Sequence, residues 1–463
     1  MDKQASRAMV DPEPSRDWKK YAKASNLLGN LAAGLVNPFT VLFALALGAD
    51  TALIGLMVSL PPLMTTLIQL LWARVTRLTG RRKPFVIASA ILNSILWALM
   101  GFAESPTYLV VLVGVQSLLA SIGVPAASGL LSSLLRDEER GRVIGELDTF
   151  AYVGATLGTF LAGPTLDALG TQLGYRSVFL GASLVSGMSI VAYSIGMPDL
   201  RTGKVKHAKG KLPAERGELL LRLIVVRSLF TVGATIAGPY VVVYLVEHYN
   251  LSNTAVGMVT VAYNILSILT AGGLGRLVDK YGRVPMLTIG SILTSLTPLL
   301  AVMGSNVYLA STGFVSGGAS WEAAGISISA YLMDITKGGD VEGSVALFNA
   351  AMGISSAIGP LIGGAIASFT GDIGYIFYLS GASRILFGLA CYFYLKEVHP
   401  HTEGVTIRRI LTPLGAIGLE IERGIRMLAY FASGETVQKA IDTLGKTMRE
   451  VEEEEELTWI EDF

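Results

Sequence analysis

Apolar and polar positions along this chain come in long blocks rather than in short alternation. Predominantly apolar stretches cover residues 21–47, 52–72, 84–102, 107–135, 143–166 and 177–197. After a polar interval they resume at 219–246, 254–274, 284–303, 307–332, 344–369 and 375–395. A helix rising about 1.5 Å per residue needs about 20 apolar residues to cross the hydrocarbon of a bilayer. The pattern therefore predicts an all-α membrane protein with twelve transmembrane helices.

The loops between these stretches carry their basic residues unequally. Eighteen lysines and arginines fall in the alternate loops at 74–83, 136–142, 201–216, 276–283 and at Lys337, whereas the opposite loops offer Arg176 alone. Such asymmetry orients a chain with its basic loops inside. It predicts an even number of spans, both termini in the cytoplasm, and a multi-pass protein of the cell membrane. The domain reading is a cytoplasmic N-terminal segment (1–20), a six-helix bundle (21–197), a cytoplasmic linker (198–218), a second bundle (219–395) and a cytoplasmic tail (396–463). In that tail Leu411, Leu414, Ile421, Ile425 and Leu428 recur at helical spacing among charges. This describes an amphipathic helix, either on the membrane surface or packed on the protein's own loops. The Glu452–Glu456 run then reads as a solvated end.

The halves repeat one another. Pro38 matches Pro239, Gly55 matches Gly257, Gly80 matches Gly282 and Gly141 matches Gly343. Gly163-Pro164 matches Gly359-Pro360, and Gly181-Ala182-Ser183 matches Gly381-Ala382-Ser383, all at offsets of 196 to 202 residues. Ordered matches of this kind indicate duplication of a six-helix unit. Two similar bodies can rock about a site at their interface, exposing it to one side at a time, which favours a carrier over a pore.

Composition narrows the classes further. Charged residues make up only 16% of the chain, and 52 glycines suit closely packed membrane helices. A single cysteine, Cys391, excludes a disulfide framework and any multi-cysteine metal site. The histidines (His207, His248, His399 and His401) all lie in loops or the tail. With no nucleophile–base pair and no phosphate loop, neither an enzyme nor an ATP-driven pump is expected, and no cofactor, metal or nucleic-acid partner is implied.

Gly275-Arg276-Leu277-Val278-Asp279-Lys280-Tyr281-Gly282-Arg283 resembles the cytoplasmic signature after the eighth helix of the major facilitator superfamily (MFS). The first-half loop, 74–83, keeps Gly80-Arg81-Arg82, and the resemblance covers roughly residues 20 to 396. It implies the MFS fold of two pseudo-symmetric six-helix bundles. It also implies that Asp279 meets the positive N-terminus of the fifth helix, where Arg140 and Arg142 add charge, locking the cytoplasmic end. A solvated loop aspartate is the alternative. Gly275, Gly282, Arg283, Gly80 and Arg81 complete this candidate gate. The string Gly353, Gly359-Pro360, Gly363-Gly364 resembles the glycine–proline motif of efflux-type members, usually found in the fifth helix, where this chain has Gly154, Gly158 and Gly163-Pro164. Two features depart from the family. Thr76-Arg77 stands where the first signature expects an acid, and residues 112–116 keep only Gln116 where drug/proton antiporters usually add an arginine.

Ionisable groups inside a span are costly and are functional candidates by default. Glu322, mid-way along the tenth span, is the foremost. Gly318, Gly325 and Ser329 share its helical face, and Trp321 precedes it. It reads either as a proton or cation site, or as half of a structural pair with a buried base such as Arg384 or Arg227. Asn30 and Asn37 lie on one stripe of the first helix with Asn26. With Gln116, Asn264 and Tyr240 they either line the pathway or bond between helices. Matched interruptions at Asn37-Pro38 and Gly238-Pro239 point to the same central region.

These observations imply a secondary transporter that moves a small organic solute by alternating access, with protons as coupling partner, export slightly favoured, and a monomer in the bilayer. A transporter-shaped sensor signalling through its tail is the alternative. Truncation after Lys396 separates the two.

Overall fold

A computed structural model of the chain describes residues 18–79, 81–135, 137–199, 212–337, 341–398 and 419–420. The N-terminal segment to residue 17, most of the linker and nearly all of the tail fall outside them. So does Gly80.

Fifteen α-helices make twelve rods among the described residues. In the first half these are α1 (Trp18–Ala46), α2 (Thr51–Thr79), α3 (Lys83–Met100), α4 and α5 (Pro106–Ala120, Gly123–Leu134), α6 (Asp137–Leu169) and α7 (Thr171–Gly196). The second half has α8 and α9 (Ala214–Ala237, Tyr240–Tyr249), α10 (Asn253–Tyr281), α11 and α12 (Arg283–Leu293, Leu296–Met303), α13 (Val307–Thr336), α14 (Val341–Thr370) and α15 (Gly374–Tyr394). No cis peptide bond is present among them. Ten rods are long and apolar enough to cross a membrane by length and composition. The two that fall short, α6 and α13, carry Asp148 and Glu322. A helix can keep such groups if it faces a polar cavity instead of lipid. Outward-pointing apolar side chains remain bare, Leu184 at 73% and Phe369 at 93% exposure, as a lipid-facing surface requires.

The duplication is visible in the backbone. Left-handed residues occur at Gly48 and Asn250, ending α1 and α9, and at Gly170 and Gly371, ending α6 and α14. Each pair has the spacing of the sequence repeat. One proline pair behaves differently in the two halves. α1 runs unbroken through Pro38, whereas the corresponding rod splits at Gly238-Pro239 into α8 and α9.

Small residues decide how tightly the rods approach. A Cβ on Gly154 or Gly158 would run into the Leu27 or Leu31 carbonyl of α1, and one on Gly359 or Gly363 into the Val232 or Ile236 carbonyl of α8. The glycine–proline strings are therefore backbone contact surfaces, α6 on α1 and α14 on α8. Between the halves, α2 packs along α14 and α6 along α10, again in the symmetry of the repeat.

Burial is distributed unequally between the two ends. At the end where α1 finishes, one apolar core draws on both halves, including Phe39, Ile54, Phe179, Tyr240, Val256 and Phe377. At the end bearing the basic loops there are separate cores. One holds Trp18, Leu130 and Leu147 of the first half only, and two others hold residues of the second half only. The two bodies thus share one core at the far end, whereas at the basic-loop end the cores among the described residues are separate.

Candidate functional site

Glu322 sits on α13, half-buried, and Ser267 Oγ of α10 donates to its Oε2 at 2.8 Å. Gly318, one turn earlier, makes this contact feasible, because a Cβ there would strike the Tyr263 carbonyl and hold α13 away from α10. On the same face of α13 Gly325 and Ser329 are exposed, and space opens beside Gly325. The Glu322 charge reaches Tyr263 of its own half and Tyr152 on α6 of the other half. Tyr152 and Asp148, one turn apart on α6, are both exposed. Glu322 therefore lies between the halves, on the open side of α13, with a hydroxyl as its hydrogen-bond partner.

The structural pairing considered for Glu322 is not what the fold makes. Arg384, 2% exposed, gives Nη1 to the Thr294 carbonyl at 2.6 Å and Nη2 to the Ala234 carbonyl at 2.8 Å. Thr294 is the break between α11 and α12, and Ala234 lies one turn before the break between α8 and α9. The guanidinium thus ties two interrupted rods together through backbone acceptors, with the Trp321 ring 5.8 Å away. Arg227, also buried, gives Nη1 to Ser291 Oγ at 2.8 Å and stacks over Phe230 at 4.1 Å. In both arginines Nε is buried without a partner. Neither pairs with a carboxylate among the described residues. The correction has a simple cause: helix breaks free carbonyls inside the bundle, and a planar five-donor cation satisfies them without an acid. Replacing Arg384 by Met takes the donor from the Ala234 oxygen and leaves the Thr294 oxygen only the Thr297 N–H. It is expected to destabilise the protein by about 2 kcal/mol, seen as a lower apparent melting temperature in detergent. An unchanged melting curve would refute this role.

The other candidates divide. Asn30 and Asn26 give their amide nitrogens to their own helix, at Asn26 O (2.9 Å) and Ala22 O (3.0 Å). Asn37 is exposed and Asn264 half-buried, both without a hydrogen-bond partner among the described residues. Gln116 donates to Asn93 Oδ1 at 2.7 Å, joining α4 to α3 within one half. Trp321 packs edge-on against Phe230, 6.0 Å between ring centroids.

Tyr240 belongs elsewhere. Its side chain is fully buried at the far end, and its hydroxyl lies within 3.0 Å of both the Thr51 carbonyl of the first half and the Pro360 carbonyl of the second. Cβ atoms at Gly55 or Gly364 would fill the slot it occupies. The seal continues with Thr51 Oγ1 and Ser368 Oγ at 3.0 Å. It ends with Asp167 of α6, which accepts from the Asn253 and Thr254 backbone N–H groups of α10. Nothing in the sequence singled out Thr51, Ser368 or Asp167, because each lies beside a loop where polar residues are ordinary.

At the basic-loop end the signature makes a tight turn and a set of ion pairs within its own half. Gly282 adopts φ +100, a turn only glycine takes without strain. Gly275 has open space where a side chain would go. Arg283, 8% exposed, bridges Asp279 (2.9 Å) and Asp334 of α13 (3.0 Å) and also bonds the Val278 carbonyl. Asp279 is 72% exposed and pairs with Arg283 on its own side. No contact of Asp279 with α6 is present among the described residues. The Arg140 and Arg142 side chains lie outside the described residues. Arg81 is exposed, while its neighbour Arg82 bonds the Gly129 carbonyl. Asp334 was missed by the sequence reading for want of any pattern linking it to Arg283.

Comparison with known proteins agrees with this architecture. The model of the Major Facilitator Superfamily matches residues 24–238 and again 223–451. The chain is 24% identical over 400 residues to the multi-drug resistance efflux pump PmrA of Streptococcus pneumoniae, covering 82% of this chain and 96% of that one. It is 25% identical over 418 residues to the multidrug resistance protein MdtG of a Rahnella species, covering 86% and 98%. Among solved structures, the nucleoside transporter NupG superposes with a TM-score of 0.66 at 12% identity, covering 82% of this chain and 99% of its own. An auto-inhibited peptide transporter of the POT family gives 0.66 at 11%, covering 84% and 99%.

Proposed function

We propose that this chain, which belongs to the major facilitator superfamily, exports a small organic solute by alternating access and that Glu322 carries the coupled proton. One observation supports this above the others: Glu322 is a carboxylate mid-way along a spanning rod, on the side open to the other half, with a serine hydroxyl as partner and no base among the described residues. A carboxylate so placed changes its charge at lower cost than one locked to an arginine. Export rather than import rests on the relatives named as efflux pumps.

The seal at one end and the separate cores at the other describe one of the two states such a cycle needs. The basic loops place the unsealed end in the cytoplasm, so this is the inward-facing state, acting as a monomer. Asn37 and Asn264, amides without a partner among the described residues, and Tyr152 and Asp148 of α6 supply the remaining polar wall of the pathway.

Purified protein in liposomes tests the reading. Solutes are screened for accumulation with and without an imposed pH gradient, and the expected result is gradient-dependent accumulation of at least one organic solute. Fluxes indifferent to the gradient for every transported solute would refute proton coupling. Absence of any solute flux would refute the transport assignment made to Glu322.

A further inference from the structure

We propose that Asp167 is the latch of the far gate, holding the two halves closed by capping the start of α10 across their interface. The inference rests on the alternating-access reading above. At the start of α10, the Asn253 N–H reaches Asp167 Oδ1 at 3.1 Å, the Asn253 side-chain amide reaches the same oxygen at 2.9 Å, and the Thr254 N–H reaches Oδ2 at 2.8 Å. The next N–H, of Ala255, is taken by Ser252 Oγ of the same segment at 3.2 Å, and that of Val256 by the Ser252 carbonyl at 3.0 Å. Every donor that the first turn of α10 leaves open is thus satisfied, and two of them by a residue of the other half. A carboxylate in that position also meets the positive end of the helix dipole.

The surroundings are built for close approach. A Cβ on Gly163, one turn before Asp167, would strike Asn253 and Thr254, and Gly257 faces the Thr159 carbonyl at the same crossing. Asp167 is itself exposed and borders a cleft of about 360 Å³ that Thr171, Tyr175 and Val246 also line. Water can therefore replace the carboxylate on those N–H groups when the end opens. A contact that solvent can substitute is strong enough to bias a gate and weak enough to break in each cycle.

The position also completes a symmetry. α6 and α10 pack on each other, and each carries an acid in its last turn, Asp167 beside the first turn of α10 and Asp279 at the opposite corner. Asp167 is engaged in this state, while Asp279 at the opposite corner is turned to Arg283. The two acids are alternates, one for each closed end.

The test uses the full-length chain with Thr51→Cys and Ser368→Cys, whose hydroxyls are in contact at the far seal, and follows the initial rate of disulfide formation under a mild oxidant. Adding Asp167→Ala is expected to slow cross-linking about tenfold, the scale of a charged cap. Asp167→Asn, which keeps the volume and one acceptor, should fall between. Thr254→Pro removes one donor without breaking a first turn, as Pro84 already does in α3, and should slow the reaction by itself. Combined with Asp167→Ala it should add nothing further. An unchanged rate in Asp167→Ala, or effects that multiply in the double variant, would overturn the latch. The readout needs no substrate, so it stands or falls separately from the role of Glu322.

Discussion

Glu322→Gln is expected to reduce pH-gradient-driven accumulation to the level of protein-free liposomes while solute exchange at equal pH stays measurable. The substitution keeps the side chain's size and its ability to accept from Ser267, so the packing of α13 on α10 persists. It removes the capacity to take up and release a proton. If Glu322 is the group whose charge alternates as the cavity turns from one side to the other, the neutral amide leaves the carrier free to move solute in both directions without a driving force. Accumulation that survives in Glu322→Gln would sink the proton-carrier role. Loss of exchange together with accumulation would instead mean that the carboxylate binds the solute.

Thr51→Cys with Ser368→Cys is expected to abolish transport when oxidised and to regain it on reduction. Their hydroxyl oxygens lie 3.0 Å apart on α2 and α14, from opposite halves. A disulfide there would pin the far seal, the place where Tyr240 and Asp167 also bridge the two bodies. Export requires that seal to part once per cycle, so the locked protein should turn over no substrate while still binding it from the basic-loop side. The only native thiol, Cys391, is buried and offers no competing partner. Flux that continues unchanged in the fully cross-linked protein would mean that the far end does not open and that the rocking-bundle account is wrong.

Much of this architecture was legible from the chain. Most spans announce themselves, ten of the twelve rods by length and composition, because a lipid-exposed helix must be apolar over its full length. The ordered glycine and proline matches revealed the duplication that the paired left-handed turns repeat. Glu322 was legible for the same reason: one charge in an apolar run stands out. Its partner was not. Arg384 looked like a counter-charge, since two ionisable residues inside apolar spans suggest each other. The fold gives that arginine the Thr294 and Ala234 carbonyls instead, and those exist as acceptors only because two rods break where they do. Tyr240 could be read as wall or packing, and only its bonds to Thr51 and Pro360 identify a seal.

The chain alone determined local and periodic properties: which stretches cross the membrane, that the halves are copies, and which polar groups sit in apolar surroundings. Hydropathy, spacing and turn chemistry operate within tens of residues, so one sequence suffices to see them. Tertiary structure alone decided which end is shut, that Asp279 faces Arg283 while Asp167 caps α10, and that two buried cations are held by carbonyls and hydroxyls. Such pairings join residues far apart in the chain and depend on how the two bodies are tilted. No local pattern carries that information.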